Sequence, residues 1–230
     1  MVYNKAEIEK IIGVKFKSED LIKTACTHRS YLNEHRSTVK EHNERLEFLG
    51  DAVLELCVTD FLYNNFPDKP EGELTSWRAA LVKTESLAEL ADELNIGQFL
   101  LMSRGEAKSG GRTRIALLAN MVESIIGAIY LDAGYSEAAR FIERNINSKL
   151  EAILKAGLHI DAKSHFQEVA QEKQGITPHY EVVSESGPDH DKTFEIAVYL
   201  GKKLWGKGKG NSKQTAQQAA ASNALKKYKA

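Results

Sequence analysis

The sequence predicts an all-α domain over residues 1–156, followed by a small α+β domain of order α-β-β-β-α over residues 161–230. Three observations carry this. Apolar residues recur at helical spacing as far as residue 154, and the spacing switches to strand alternation beyond Gly157. The third is length: 230 residues exceed one typical domain of about 150 and fall short of two. Hydrophobic residues make up 42% and charged residues 27%, with 16 Gly and 4 Pro, so disordered, collagenous and low-complexity classes are excluded. The first twenty residues mix Lys with Glu and carry no apolar run before a small-residue cleavage site, which argues against a secretory signal.

Taken in order, helices are expected over 21–32, 46–63, 74–94, 115–131 and 138–154, separated by breaks at 64–72, 95–97 and 103–114. A short linker, 157–160, leads to a helix over 164–173 that stops at Gly175. Tyr180 and Val182, then Phe194, Ile196, Val198 and Leu200, alternate as two strands. A short third strand near Leu204 and Trp205, a Gly-rich turn and a last helix over 212–228 complete the chain. Cys26 and Cys57 lie far apart in apolar helical patterns, with no CxxC pair, so they read as small buried hydrophobes in a reducing compartment. Neither they nor the seven histidines form a metal-ligand pattern, which argues against zinc.

Charge divides the chain as the periodicity does. The net charge is −1, but residues 161–230 carry 11 Lys against 8 acids, and the last thirty residues hold eight Lys and no acid. Such a tail is either a polyanion-binding surface or a solvated, lysine-rich helix end.

The acids of the first domain are the stronger signal. Glu44, Glu47 and Asp51 fall at i, i+3 and i+7, so they form one stripe of their helix, with Leu46, Leu49, Val53 and Leu56 expected to bury the opposite side. The stripe faces water or converges on something positive. In the helix over 115–131, apolar nearly all round, Glu123 is the single charged residue, with Asn120 three positions earlier on the same face. Asn120 and Glu123 interrupt the run too centrally for a membrane span, so this is a core helix whose carboxylate needs a partner. Two helices that each offer oxygen ligands make a site for a hard cation, best Mg²⁺; Arg45 and Arg78 are the alternative, as partners in structural salt bridges.

The segment HNERLEFLGDAVL at 42–54 closely resembles the signature of ribonuclease III, and THRS at 27–30, EGELTSWR at 71–78 and SGGR at 109–112 stand in the order of that family. The tail resembles a double-stranded-RNA-binding domain through FQE at 166–168, GPDH at 187–190 with Phe194, and GNSK at 210–213 with Ala216, Ala219 and Ala220. The resemblance implies an endonuclease domain over 1–156 and an RNA-binding domain over 161–230. It implies a cytoplasmic homodimer that cuts both strands of duplex RNA in a Mg²⁺-dependent reaction, with Mn²⁺ able to substitute. The products would carry 5′-phosphate and 3′-hydroxyl ends with short 3′ overhangs, and the expected roles are ribosomal-RNA precursor and messenger-RNA processing.

Carried over by position, Glu47, Asp51, Asn120 and Glu123 are metal ligands, Asp51 and Glu123 being the pair most necessary for chemistry. Glu44 and Glu71 match further acids of the cleavage cleft, although Glu71 also suits compensation of a helix dipole. Phe48 would insert into the partner subunit, with ordinary core packing as the alternative. Gln167, Glu168, His190, Ser212 and Lys213 would contact RNA, which makes the lysine tail an RNA surface; Gln214 stands where the family often has a second cation. One departure matters most: the family usually has Asp at the position of Asn120. The loss of one negative charge leaves two readings open, an active nuclease and a duplex-binding protein with little cleavage.

Overall fold

The computed structural model describes residues 3–35, 39–157, 161–188 and 192–229. The chain divides into two compact units, Met1–His159 and Ile160–Ala230. The first is built from α1 (Lys5–Ile12), α2 (Glu19–Ala25), α3 (Arg29–His35), α4 (Glu44–Asn65), α5 (Glu71–Val82), α6 (Thr84–Glu93), α7 (Arg104–Lys108), α8 (Ile115–Ala133), α9 (Tyr135–Asn145) and α10 (Leu150–Ala156), with single 3-10 turns between some of them. The second runs α11 (Ala162–Gln174), β1 (His179–Ser186), β2 (Thr193–Leu200), β3 (Lys203–Gly210) and α12 (Lys213–Lys229). An all-α unit followed by an α-β-β-β-α unit is the order the periodicity implies.

Three expected helices are broken, each for a local reason. The 21–32 helix splits because the Leu101 amide donates to the Cys26 carbonyl (2.7 Å) and the His28 amide to the Leu101 carbonyl (2.8 Å), committing groups that a continuous helix would need. The 74–94 helix breaks at Lys83, whose backbone is extended at φ −60°, ψ 151°. The 138–154 helix breaks at Ile146, followed by one 3-10 turn at Asn147–Lys149. α1 escapes the pattern because it is short and amphipathic: Asn4 caps it by accepting from the Glu7 amide, and Ile8 and Ile12 are fully buried.

α8 is the spine of the first unit. Leu118, Ala119, Met121, Val122 and 124–129 are buried along it, and α2, α4, α6 and α9 pack around it. Among the described residues it is the one helix long and apolar enough to cross a membrane, and here it is a core helix. α4 crosses it with no side chain between the two backbones. A Cβ on Gly50 would lie 1.8 Å from the Glu123 carbonyl oxygen, and one on Gly127 would lie 2.3 Å from that of Leu46. α4 buries Leu46, Gly50, Val53, Leu54, Cys57, Val58 and Leu62 against this core. Leu49 is half-buried, but Leu56, expected inside, is 57% exposed, because it points to the side of α4 beyond Leu49, off the stripe that the helix buries. Cys26 and Cys57 are free and buried.

In the second unit an antiparallel sheet of order β1-β2-β3 carries α11 and α12 on one face. β3 is eight residues long rather than short, since Gly206, Gly208 and Gly210 let α12 lie directly on it. A Cβ at Gly208 would sit 2.1 Å from the Ala220 nitrogen. Phe166, Val198, Leu200, Ala220 and Ala224 form the small core.

The α4–α8 crossing should tolerate no added carbon. Gly127→Ala is expected to destabilise the first unit by at least about 1–3 kcal/mol, the usual cost of overpacking, in denaturant unfolding. Gly72→Ala, where an added Cβ meets nothing within 4 Å, is the control and should be neutral or slightly stabilising.

Candidate functional site

The crossing at Gly50 and Gly127 places the acid stripe of α4 beside the polar stripe of α8. Asn120 and Glu123 are half-buried interruptions in an otherwise buried run, and they meet Glu47 and Asp51 there. The Asn120 amide donates to the Glu47 carboxylate. Burial, with repulsion from Glu44 and Asp51, raises the Glu47 pKa, and the Asn120 hydrogen bond opposes that rise. Glu123 is pushed up to about 7, first by burial and then by the charges of Asp51 and Glu47. Carboxylates with raised pKa values in one cleft mark a site short of positive charge.

Neither candidate arginine supplies it. Arg78 is turned to Glu55 (2.8 Å) and the Thr59 hydroxyl (2.9 Å), and Arg45 is exposed. Among the described residues no ion pair joins either arginine to Glu47, Asp51 or Glu123. Glu44 is different, paired with Arg29 at 3.3 Å. The donor set of Glu47, Asp51, Glu123 and the Asn120 carbonyl is all oxygen, which fits a hard cation. Among the described residues no three His, Cys, Asp or Glu side chains converge closely enough to hold an ion unaided.

Two quoted motifs have structural work that the sequence did not disclose. In THRS, Ser30 Oγ bonds His28 Nδ1 (2.8 Å) and accepts from the Ser103 amide (3.0 Å), fastening the α3 start to the loop before α7. In SGGR, Arg112 donates to the carbonyls of Gly97, Gln98 and Leu100 at 3.2, 3.0 and 2.9 Å, closing the loop that leads into α8. Glu71 is not brought to the acids within one chain. It stands in the first turn of α5, on a groove of about 630 Å³ lined also by Thr59, Tyr63, Phe66, Leu74 and Arg78. Thr59 is eight residues beyond Asp51, about 12 Å along α4 at 1.5 Å per residue. Phe48 is 82% exposed, so it does not pack in the core of its own chain. With Leu131 it borders a hollow of about 830 Å³.

In the second unit Gln167 and Glu168 are exposed on α11. Ser212 caps α12, its hydroxyl accepting from the Thr215 amide at 3.1 Å. Lys213 lies 3.4 Å from Glu185 and over the Phe194 ring. Gln214 is exposed beside it, and His190 falls outside the described residues.

The charge on Glu123 is testable without any metal. Its folded pKa, about 7, lies above the ordinary 4.5, so the folded chain holds a proton that the unfolded chain releases, and stability falls as pH rises across that window. Glu123→Gln should stabilise the divalent-free protein at pH 8 by about 1–2 kcal/mol, after allowance for screening at a partly exposed group, and the two proteins should converge by about pH 4, below the unfolded value. Thermal melts at both pH values check this; an equal gap at each would remove ionisation as the cause.

Comparison with known proteins places this geometry. The ribonuclease-III-like family model matches residues 18–150 and the double-stranded RNA binding motif matches residues 162–228. Ribonuclease 3 of Listeria monocytogenes is 45% identical over 222 residues, 96% of each chain. That of Enterococcus faecalis is 46% identical over 221 residues, 96% of this chain and 95% of the relative. That of Carboxydothermus hydrogenoformans is 45% identical over 226 residues, 98% and 96%. Among solved structures, the nuclease domain of ribonuclease III from Campylobacter jejuni superposes with a TM-score of 0.56 at 42% identity, covering 62% of this chain and 98% of that one. With both units matched in order and nearly the whole length covered, the chain belongs to the ribonuclease III family of double-strand-specific endoribonucleases, its second unit being a double-stranded-RNA-binding domain.

Proposed function

We propose that this chain cleaves duplex RNA in a Mg²⁺-dependent hydrolysis, with Mn²⁺ able to substitute, leaving 5′-phosphate and 3′-hydroxyl ends with short 3′ overhangs. The observation that carries the proposal is that Glu47, Asp51 and Glu123 lie near one another across a glycine crossing, where burial and mutual repulsion raise the pKa values of Glu47 and Glu123 and no ion pair reaches the three among the described residues. Bound there, the ion supplies a water of lowered pKa and neutralises charge on the non-bridging and leaving oxygens. Glu47, Asp51, Glu123 and the Asn120 carbonyl would hold it, with Asp51 and Glu123 the pair most necessary for chemistry. Glu44, held by Arg29, positions RNA rather than the ion, and Glu71 acts on RNA from the end of α5.

In the RNA-binding unit, Gln167 and Glu168 meet 2′-hydroxyls in one minor groove and His190 the next, while Ser212 and Lys213 clamp the phosphates between. The working form is a homodimer in which Phe48 enters the partner subunit. Its 82% exposure beside a hollow supports this, as does the Campylobacter relative, whose nuclease domain has a region involved in dimer formation. The free buried cysteines suit a reducing cytoplasm, where ribosomal-RNA precursors and messengers would be the substrates.

Asn120 favours the second reading, a duplex binder with little cleavage. Its amide gives Glu47 a hydrogen bond where the family's usual Asp would add a charge for the ion. A lost second-sphere partner costs roughly 10- to 100-fold in metal affinity or activity, and a lost ligand charge should cost no less.

Incubating labelled duplex with this chain and with Asn120→Asp across a Mg²⁺ series separates the readings. The variant is expected to cut at Mg²⁺ concentrations at least about tenfold lower. Equal cutting would remove Asn120 from the metal site, and binding without cutting by both would leave the binding protein. Phe48→Ala should shift the chain from dimer to monomer in sedimentation while leaving its helical circular dichroism unchanged, because the side chain is solvent-facing within one chain; the melting temperature should fall and lose its dependence on protein concentration.

A further inference from the structure

The lysine tail does not lie on one surface. Lys213 stands at the N-terminus of α12, whereas Lys226 and Lys227 stand in its last turns, about 20 Å away at 1.5 Å per residue. The C-terminal end of α11 and the β2–β3 turn are at that same far end, since Gln174 donates to the Tyr228 hydroxyl (2.7 Å) and the Tyr228 and Trp205 rings stack at 4.4 Å. Lys173 lies 5.2 Å from the Tyr228 ring and Lys203 5.2 Å from the Trp205 ring, with Lys202 next to it. Lys173 and Lys203 therefore flank one aromatic stack, and Lys202, Lys226 and Lys227, exposed like them, stand at the same end of the unit, next to Lys203 and Tyr228 in sequence.

Their charge is uncommitted. Among the described residues none of the five is ion-paired, while Lys213 at the opposite end is held by Glu185 at 3.4 Å. Among the described residues Glu172, beside Lys173 in sequence, makes no ion pair with the five, and Glu181 lies 3.7 Å from His179 instead. Compensation of helix dipoles would account for Lys173, Lys226 and Lys227, which close α11 and α12. It does not account for Lys202 and Lys203, which sit on a strand turn with no dipole to offset. Cations flanking stacked aromatics on an acid-poor surface fit a phosphodiester backbone.

We infer that this end of the RNA-binding unit is a second RNA contact surface, which takes the phosphates of a helix other than the one clamped by Ser212 and Lys213. The inference rests on the assignment of that clamp. A helix whose N-terminus meets one duplex carries its last turn away from it, so the far lysines reach a neighbouring arm of a branched RNA.

Binding of the full chain, without divalent ions so that RNA stays intact, tests this on two RNAs: a single duplex of about 16 base pairs, the length one such domain spans, and a two-helix junction. Lys202→Gln/Lys203→Gln/Lys226→Gln/Lys227→Gln should bind the junction about tenfold more weakly, its salt slope shallower by about two to three units, and bind the single duplex nearly as the parent does. Lys213→Gln should weaken both RNAs and reports on the clamp separately. The pair Lys202→Gln/Lys203→Gln, with half the effect, guards against misfolding of the fourfold variant. Parental binding of both RNAs, or an equal loss on both, would overturn the second surface. So would unchanged RNA binding with loss of adhesion to phosphatidylserine vesicles, which would assign the lysines to a membrane.

Discussion

Two backbones in direct contact, α4 over α8 at Gly50 and Gly127, decide where everything else in the nuclease unit goes. A side chain at either position would separate the helices and pull Glu47 and Asp51 away from Asn120 and Glu123. Burial and then repulsion from Asp51 and Glu47 both raise the pKa of Glu123, so the contact must be held by apolar burial elsewhere along the same helices. Leu46, Leu54, Val58, Val122, Ile125 and Ile126, all nearly inaccessible, do this. Each buried aliphatic side chain contributes about 1.5–3 kcal/mol, enough in sum to hold a site whose charges oppose it.

The RNA-binding unit uses the same device for a different end. Gly206, Gly208 and Gly210 bring α12 onto β3 as closely as Gly50 and Gly127 bring two helices together. What this fixes is the place of the helix N-terminus, with Ser212 capping it and Lys213 beside it. The nuclease unit thereby stores unbalanced negative charge and the RNA-binding unit presents positive charge. These are the complementary halves of an enzyme that must grip a polyanion and then gather cations around one of its phosphates.

Periodicity made the long elements legible, because burial of one face is a property of many residues at once. Glu123 was legible for the opposite reason, a single charge in a helix otherwise apolar. Breaks at Cys26, Lys83 and Ile146 were not, since each depends on a partner distant in sequence or on one backbone angle, and hydropathy carries neither. Leu56 shows the limit on a helix with apolar residues on several sides: spacing alone placed it inside, and the structure leaves it exposed. Among the site residues, the α4 acids and Asn120 could be assembled from two helical wheels, but the choice between a cation site and salt bridges could not. The structure removes Arg78 from the second alternative, since it is committed to Glu55. Phe48 is left exposed by one chain, and Glu71, in the first turn of α5, is placed where helix-dipole compensation would suffice for it.

Asn120 shows how one side chain acts with opposite sign in the two states of such a site. Without a cation, its amide donates to Glu47 and opposes the pKa rise that burial and like charge impose. An Asp there would add a fourth negative charge to the cluster and withdraw that donor, so the empty site would be less stable. With a cation present the balance reverses, because attraction to the ion grows with ligand charge while an amide offers only a carbonyl dipole. On the proposed assignment, asparagine would favour the empty, folded protein and aspartate the loaded enzyme. The residue at this position would then set how far folding stability is exchanged for affinity toward the ion.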